Sequence, residues 1–385
     1  MKTIYFDNNA TTKVTDKVLE EMVPFFGQLY GNPSSMHTFG GQVGRKIRKA
    51  REQIATLLGC HPSEIIFTSG GTESDNSAIA GVLTASPDKR KIITSRVEHH
   101  AVLTTCRQLE NHGYTVVEVG VDSQGRLDMD ELKNQLDDDT ALVSIMYANN
   151  ETGVIFPIER IAELVKSKGA IFHTDAVQAI GKIPLDMSNS KIDLLSLSGH
   201  KLHAPKGIGV LYVRKGTRLK PFMLGGHQEA GRRAGTENVP SIIGLGKACE
   251  LAAKNIKQEN DRVKKLRDKL EDTILTDCPQ ARLNGDKINR LSNTTNISFE
   301  YIEGEAILLM LDRLGICASS GSACTSGSLE PSHVLRAMGI PFTAAHGSIR
   351  FSLSRYNTEA EVDYTIEHIP EIVNKLRKLS PFVGH

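Results

Sequence analysis

The sequence predicts an α/β fold, with a mainly parallel β-sheet in a large domain and a smaller α+β domain beside it. Two observations carry this. From residue 64 onward short apolar runs alternate with helical segments, the pattern of a parallel sheet covered by helices. At 385 residues the chain is too long for one ordinary small domain and suits one large plus one smaller unit. The expected division assigns residues 12–256 to the large domain, and 1–11 with 257–385 to the small one.

The elements follow in order. After the polar, turn-rich Asp7-Asn8-Asn9-Ala10-Thr11-Thr12, residues 17–26 have helical character and Asn32-Pro33-Ser34-Ser35 is a loop. Ile47, Ala50, Ile54, Leu57 and Leu58 fall on one helical face, closed by Gly59 as a C-cap. Strands are then predicted at 64–68, 91–94, 114–119, 141–147, 171–174, 192–197 and 208–213. Between them lie helices at 72–83, through Leu109 to Gly113, and from Pro157 to Gly169. Residues 240–275 read as one long helical region whose charged portion, 254–272, is a solvated face. The small unit follows, with strands at 294–299, 316–318 and 348–353 and helices at 303–314, 332–338 and from Thr358. The first residues are expected to pack with it. No internal repeat or low-complexity tract interrupts the chain.

Composition narrows the function classes. The hydrophobic fraction of 39% and charged fraction of 24% are those of a soluble globular protein. A formal net charge of +1 gives no global field to recruit nucleic acid or an anionic membrane. The N-terminal apolar run is too short for a signal peptide, and the longest apolar stretch, 306–311, is far below membrane-spanning length. Six cysteines without CxxC spacing argue against a disulfide framework or a structural zinc site. The expectation is a cytoplasmic protein with free thiols.

Three stretches carry chemistry. In Thr68-Ser69-Gly70-Gly71-Thr72-Glu73-Ser74-Asp75-Asn76 a strand runs through two glycines into a helix, with capping-box spacing between Thr72 and Asp75. Glycines admit a ligand close to the backbone, and a helix N-terminus suits phosphate. Alone, the stretch reads equally well as an ordinary capped junction. Asp175, in His173-Thr174-Asp175-Ala176-Val177-Gln178, ends a strand where ligands of open α/β sheets bind, although it could equally be a helix N-cap. Lys201, in Ser198-Gly199-His200-Lys201, follows the next strand. A lysine that forms a Schiff base, a carboxylate for a pyridine nitrogen and a phosphate-suited turn together fit pyridoxal 5'-phosphate.

Asp175-Ala-Val-Gln178, Ser198-Gly-His-Lys201 and Ser320-Gly-Ser-Ala-Cys324-Thr resemble the cysteine desulfurases of the NifS/IscS type, a class V branch of the fold-type-I pyridoxal-phosphate enzymes. The resemblance runs from Asp7-Asn-Asn-Ala-Thr-Thr12 to Ser348-Ile-Arg350-Phe-Ser-Leu353. It implies a homodimer that converts L-cysteine to L-alanine and loads sulfur onto an enzyme cysteine for an iron–sulfur scaffold or other acceptor protein.

The resemblance also implies roles. Lys201 carries the cofactor and moves the substrate Cα proton; Asp175 pairs with the ring nitrogen; Gln178 and Asn150 meet the phenolic oxygen; His99 stacks on the ring and transfers protons. The phosphate falls to Gly71, Thr72, Ser198 and His200, with Thr236 reaching the partner subunit's site. Arg350 clamps the substrate carboxylate, assisted by Asn32. Cys324, in a Gly/Ser-rich run with little capacity to form a core, takes the sulfur. A metal role is implied for Cys324 alone, as an iron–sulfur ligand shared with a scaffold. Cys317 is the expected inert thiol, and His100 matches no functional position. Arg233-Ala-Gly-Thr-Glu-Asn-Val-Pro240 looks closer to the nitrogen-fixation branch, and the chain ends at His385 without the longer scaffold-docking tail of housekeeping members. The rival readings are another pyridoxal-phosphate enzyme, such as a selenocysteine lyase or aminotransferase, and a non-catalytic sulfur-assembly partner.

Overall fold

The computed structural model describes residues 3–320 and 330–380. The chain enters through a two-residue strand, β1 (Ile4–Tyr5), and three helices, α1 (Asp16–Met22), α2 (Pro24–Gly27) and α3 (Thr38–Leu58). The alternating part then supplies β2 (Ile65–Thr68), α4 (Gly71–Ala85), β3 (Lys91–Ser95), α5 (His100–Glu110) and β4 (Thr115–Val119). It continues with α6 (Met129–Gln135), β5 (Thr140–Ser144), α7 (Ile158–Ser167), β6 (Ile171–Asp175), β7 (Leu194–Ser198) and β8 (Gly209–Val213). Strands β2 to β8 form one seven-stranded sheet in the order β2-β8-β7-β6-β5-β3-β4. Within it β8 alone runs antiparallel to its neighbours, so the sheet is mainly parallel as expected.

These strands are apolar at successive positions because helices cover both faces. Every residue of β2, β5, β7 and β8 is buried, the signature of a sheet with no wet side. One layer packs α3, α7 and the first part of α8 (Val239–Asp277) into a core with Phe67, Val143, Phe172 and Leu195. The other packs α4 and α5 against Ile66, Ile92, Leu142 and Leu194. The predicted face of α3 is the buried one, and Gly59 ends that helix at φ 63°, its N–H bonded back to Ala55 and Thr56.

The helix α8 spans both parts of the molecule. Ile242, Leu245 and Cys249 belong to the large core, whereas Val263, Leu266, Leu270 and Ile274 belong to a second one. That second core lies under an antiparallel sheet of β9 (Ala281–Leu283), β10 (Thr294–Phe299) and β12 (Ser348–Ser352) in the order β12-β10-β9. Helix α9 (Gly304–Arg313), strand β11 (Ile316–Cys317), the short α10 (His333–Ala337) and α11 (Phe342–His346), and the last helix α12 (Glu359–Leu379) complete the described residues. As expected, the first residues join this part: β1 pairs in parallel with β11, Ile4 opposite Ile316.

Sequence and structure part company in short elements. α6, β9 and α11 are each seven residues or fewer, too short for a periodic signal to stand out. The strand expected over 141–147 stops at Ser144; beyond it single N–H bonds from Ile145 to His173 and from Tyr147 to Asp175 hold the chain beside β6 without a regular ladder. The capping box expected between Thr72 and Asp75 is absent. Gly70 is the N-cap of α4, without a side-chain cap, because Asp75 is drawn into the interior instead.

The small core encloses an ion pair. Arg290 grips Glu271 through both guanidinium nitrogens, at 2.5 and 2.6 Å, and Thr295 adds a third hydrogen bond at 2.6 Å. Burial alone would raise the Glu271 carboxyl, but these donors prevail and hold it below its ordinary value. Arg290→Ala strands that carboxylate in the interior and is expected to cost about 3–5 kcal/mol of stability. Urea unfolding of the two proteins measures this; a loss below about 1 kcal/mol, the range of an exposed pair, contradicts it.

Candidate active site

A cavity of about 390 Å³ opens at the carboxyl ends of β6 and β7 and is roofed by residues of the small part. Asp175 is the last residue of β6. Lys201 ends a short 3-10 turn, Gly199–Lys201, that directly follows β7. The amine of Lys201 donates to the main-chain oxygens of Asn9 and Ala10, at 2.5 and 2.7 Å. The polar N-terminal turn is therefore a wall of the site.

Asp175 is buried, and its Oδ1 accepts the Val177 N–H at 2.8 Å. Burial pushes its carboxyl up to about 6, against that hydrogen bond and the charge of Lys201. A cation placed beside it would restore the ionised form. A second acid, Asp75, lines the same cavity with 1% exposure. Its Oδ1 lies 3.7 Å from His173 Nε2. Burial and the nearby Asp175 push Asp75 well above the ordinary range, while a Ser196 hydrogen bond works the other way. His173, hydrogen-bonded to Ser144 and Ser196 and fully buried, is pushed down to about 3 and is neutral.

His99 caps α5: its Nδ1 accepts the Ala101 N–H at 3.1 Å. Burial first, and then Lys201, His100 and His333, lower it to about 4. A neutral ring with Nδ1 accepting carries its proton on Nε2. His99 thus offers the cavity a flat aromatic face and one N–H.

The opposite end suits an oxyanion. The α4 N-terminus has no side-chain cap, so its N–H groups remain available. A Cβ at Gly71 would stand 2.7 Å from Val177 Cγ2, so a glycine is required there. Gly71, Thr72, Ser198 and His200 all line this end. His200 packs on the N-terminal turn, its Nδ1 3.2 Å from Thr11 Oγ1, and burial with the charges of Lys201 and Lys206 lowers it to about 4.

Arg350 comes from β12 of the small part and is 2% exposed. Its Nη1 donates to the Asn150 oxygen at 3.1 Å and its Nη2 to Asp7 Oδ1 at 2.7 Å. Gln178 donates from Nε2 to the Asn9 oxygen at 3.0 Å. Lys201, Asp175, His99, Asn150, Gln178 and Arg350 therefore share one cavity. Asn32 and Thr236 are exposed and do not line it within the single chain. Cys324 lies outside the described residues. The inert thiol expected at Cys317 is partly buried, and burial raises its pKa.

Several lining residues escaped the sequence reading. Asn9 and Asp75 lay inside motifs credited to other residues. His100, expected to be a solvent-facing turn residue, lines the cavity with its ring centroid 4.9 Å from that of His333. His333 had no local signal; its Nε2 lies 2.9 Å from the Glu98 main-chain oxygen. Glu151, also lining the cavity, meets Ser332 Oγ at 2.5 Å.

The donor set fits pyridoxal phosphate: a lysine amine, a buried acid pressed toward its neutral form, a neutral imidazole face and a helix N-terminus without a side-chain cap. The "Aminotransferase class-V" family profile matches residues 4–365. The chain belongs to that family. A cysteine desulfurase of Nostoc sp. is 64% identical over 99% of this chain and 96% of its own length. Cysteine desulfurase NifS of Azotobacter vinelandii is 60% identical over 99% and 95%. Among solved structures, a NifS-like protein superposes with a TM-score of 0.92 at 43% identity, covering 97% of this chain and 100% of its own. This class-V aminotransferase-family chain is a pyridoxal-phosphate enzyme of fold type I.

Beside His99, Glu98 accepts from Ser95 Oγ and the Met146 N–H, at 2.6 and 2.9 Å, while its Oε2 is buried without a hydrogen bond. Burial is the main cause that pushes it up to about 8 from an ordinary 4.5. An acid whose folded value is raised contributes stability below its unfolded value and loses it as pH rises toward the folded one. Glu98→Gln mimics the protonated acid, so its stability relative to the parent should grow between about pH 4.5 and 8. Paired urea titrations at those two values measure this, and an unchanged difference contradicts it.

Proposed function

We propose that the protein is a cysteine desulfurase, converting L-cysteine to L-alanine and placing the sulfur on Cys324 as a persulfide. The observation that carries this is Lys201 and Asp175 at adjacent strand ends in one cavity with Arg350, in a chain about 60% identical to named cysteine desulfurases along nearly its whole length.

Pyridoxal phosphate, when bound, supplies an electron sink that stabilises negative charge at the substrate Cα. The chain's own residues do the rest. Asp175 would keep the ring nitrogen protonated. The α4 N-terminus with Thr72, Ser198 and His200 would hold the phosphate, Asn150 and Gln178 the phenolic oxygen, and His99 would offer its imidazole to the ring. Arg350, held by Asp7 and the Asn150 oxygen, grips the substrate carboxylate with a planar fork and so orients Cα. Lys201 carries the cofactor at rest and then moves the Cα proton.

Sulfur transfer needs a thiolate. Burial raises the thiols of Cys60 and Cys106 to about 12 and Cys278 to about 11, and also raises Cys249 and Cys317. None of these five is poised for attack. Cys324, in its run of small residues, is the sixth. Its thiolate attacks the substrate sulfur, the Cβ–S bond breaks, and the carbon keeps the electron pair and is protonated to alanine. The sum, L-cysteine plus enzyme thiol giving L-alanine plus enzyme persulfide, balances.

The same reading extends outward. The enzyme works as a homodimer in which Thr236 completes the partner's phosphate site. Its persulfide passes to an iron–sulfur scaffold or other acceptor, with Cys324 as a shared cluster ligand. The chain divides into residues 12–256 and residues 1–11 with 257–385, a reading supported by α8, which contributes Ala252 to one core and Val263 to the other. No helix among the described residues is long and apolar enough to cross a membrane. The compartment proposed for the enzyme is the cytoplasm.

Two variants test the core of this. Lys201→Ala should lower alanine release from cysteine by about 10²–10⁴-fold or more, and normal turnover overturns the reading. Cys324→Ser should keep the cofactor absorbance but lose protein-bound sulfur; unchanged turnover with sulfide release favours a lyase that needs no enzyme thiol.

A further inference from the structure

One lysine beside the cavity has no part in the mechanism above. Lys182 sits one turn past Gln178, and its amine donates to the Gln178 main-chain oxygen at 3.0 Å and to Gln178 Oε1 at 3.1 Å. The other end of the same amide, Nε2, donates to the Asn9 oxygen that also accepts from Lys201. An amide side chain can present either end to a neighbour. A lysine ammonium has three donors and no acceptor, so the end beside it is the oxygen. The NH₂ group is thereby committed to the Asn9 side, where Gln178 lines the cavity.

We infer that Lys182 is a positioning residue: by holding Gln178 Oε1 it sets the Gln178 amide to donate toward the cofactor's phenolic oxygen. This rests on the reading in which the cavity takes pyridoxal phosphate and Gln178 meets that oxygen. A turned amide would oppose its carbonyl to a phenolate and favour the protonated oxygen. Burial, Lys201 and Arg350 push the Lys182 amine down to about 7, and the Oε1 contact favours its charged form. His203, Glu259 and Arg355 line a small cavity together with Lys182 and complete its charged surroundings.

The test is the pH titration of bound-cofactor absorbance in the holoenzyme, for the parent, Lys182→Met, Gln178→Ala and the double variant. A hydrogen bond of ordinary strength corresponds to about 0.5 to 1 unit. Lys182→Met and Gln178→Ala are each expected to raise the midpoint by about that much. The double variant should match Gln178→Ala alone, because Lys182 acts through that amide. Lys182→Arg, which keeps donors at the same place, should restore the parent midpoint. If Lys182→Met fails to fold, Lys182→Ala reads the same effect, since it too removes the donor beside Gln178 Oε1. A shift in Gln178→Ala with none in Lys182→Met overturns the inference and leaves the cofactor reading intact. Additive shifts overturn it too, because Lys182 would then act by its own charge. No shift in Gln178→Ala removes the Gln178 contact and the inference with it, and a protein without cofactor absorbance overturns both.

Discussion

The site depends on the N-terminal turn, whose Asn9 and Ala10 main-chain oxygens accept from the Lys201 amine. Lys201 stands at the end of the large sheet, whereas the N-terminal turn is tied to the small part. Asn8 and Asn9 bond to Ser352, and Asn9 reaches Thr294 and Asn293 as well. The turn thus links the two cores around one cavity, which Arg350 lines from the small antiparallel sheet and Asp175 from the large parallel one.

The cavity is assembled out of balance. Asp175 and Asp75 are acids whose burial raises them, while His99 and His200 are bases whose burial lowers them. Every one of these shifts has desolvation as its largest cause, so each group is pressed toward its neutral form. A ligand with a cationic ring nitrogen and a phosphate reverses this by supplying the missing charges, one at each end.

The sequence was most informative where periodicity runs long. The alternation through residues 64–213, the buried face of α3 and the 39-residue α8 were all legible, because each rests on several repeats of one spacing. Lys201 and Asp175 were legible for another reason, as charged residues just after apolar strands. What stayed hidden depends on distant parts of the chain meeting. Asp75 was credited to a cap because nothing nearby shows His173 and Asp175 waiting for it. His333 joins the cavity through Glu98, 235 positions away. Lys182, after Gly181, carries no local signal; its amine meets Gln178 only in the folded chain. Asn32 and Thr236 mark the other limit: both are exposed, and neither lines the cavity of the single chain.

The central claim is that sulfur leaves the substrate on an enzyme cysteine. A single turnover, with purified holoenzyme in excess over L-cysteine and no acceptor protein, tests it by amino-acid analysis and intact and peptide mass spectrometry. The account predicts one alanine per cysteine consumed, with one added sulfur atom on the peptide containing Cys324. Alanine formed with the sulfur free as sulfide, or a keto acid in place of alanine, would contradict it.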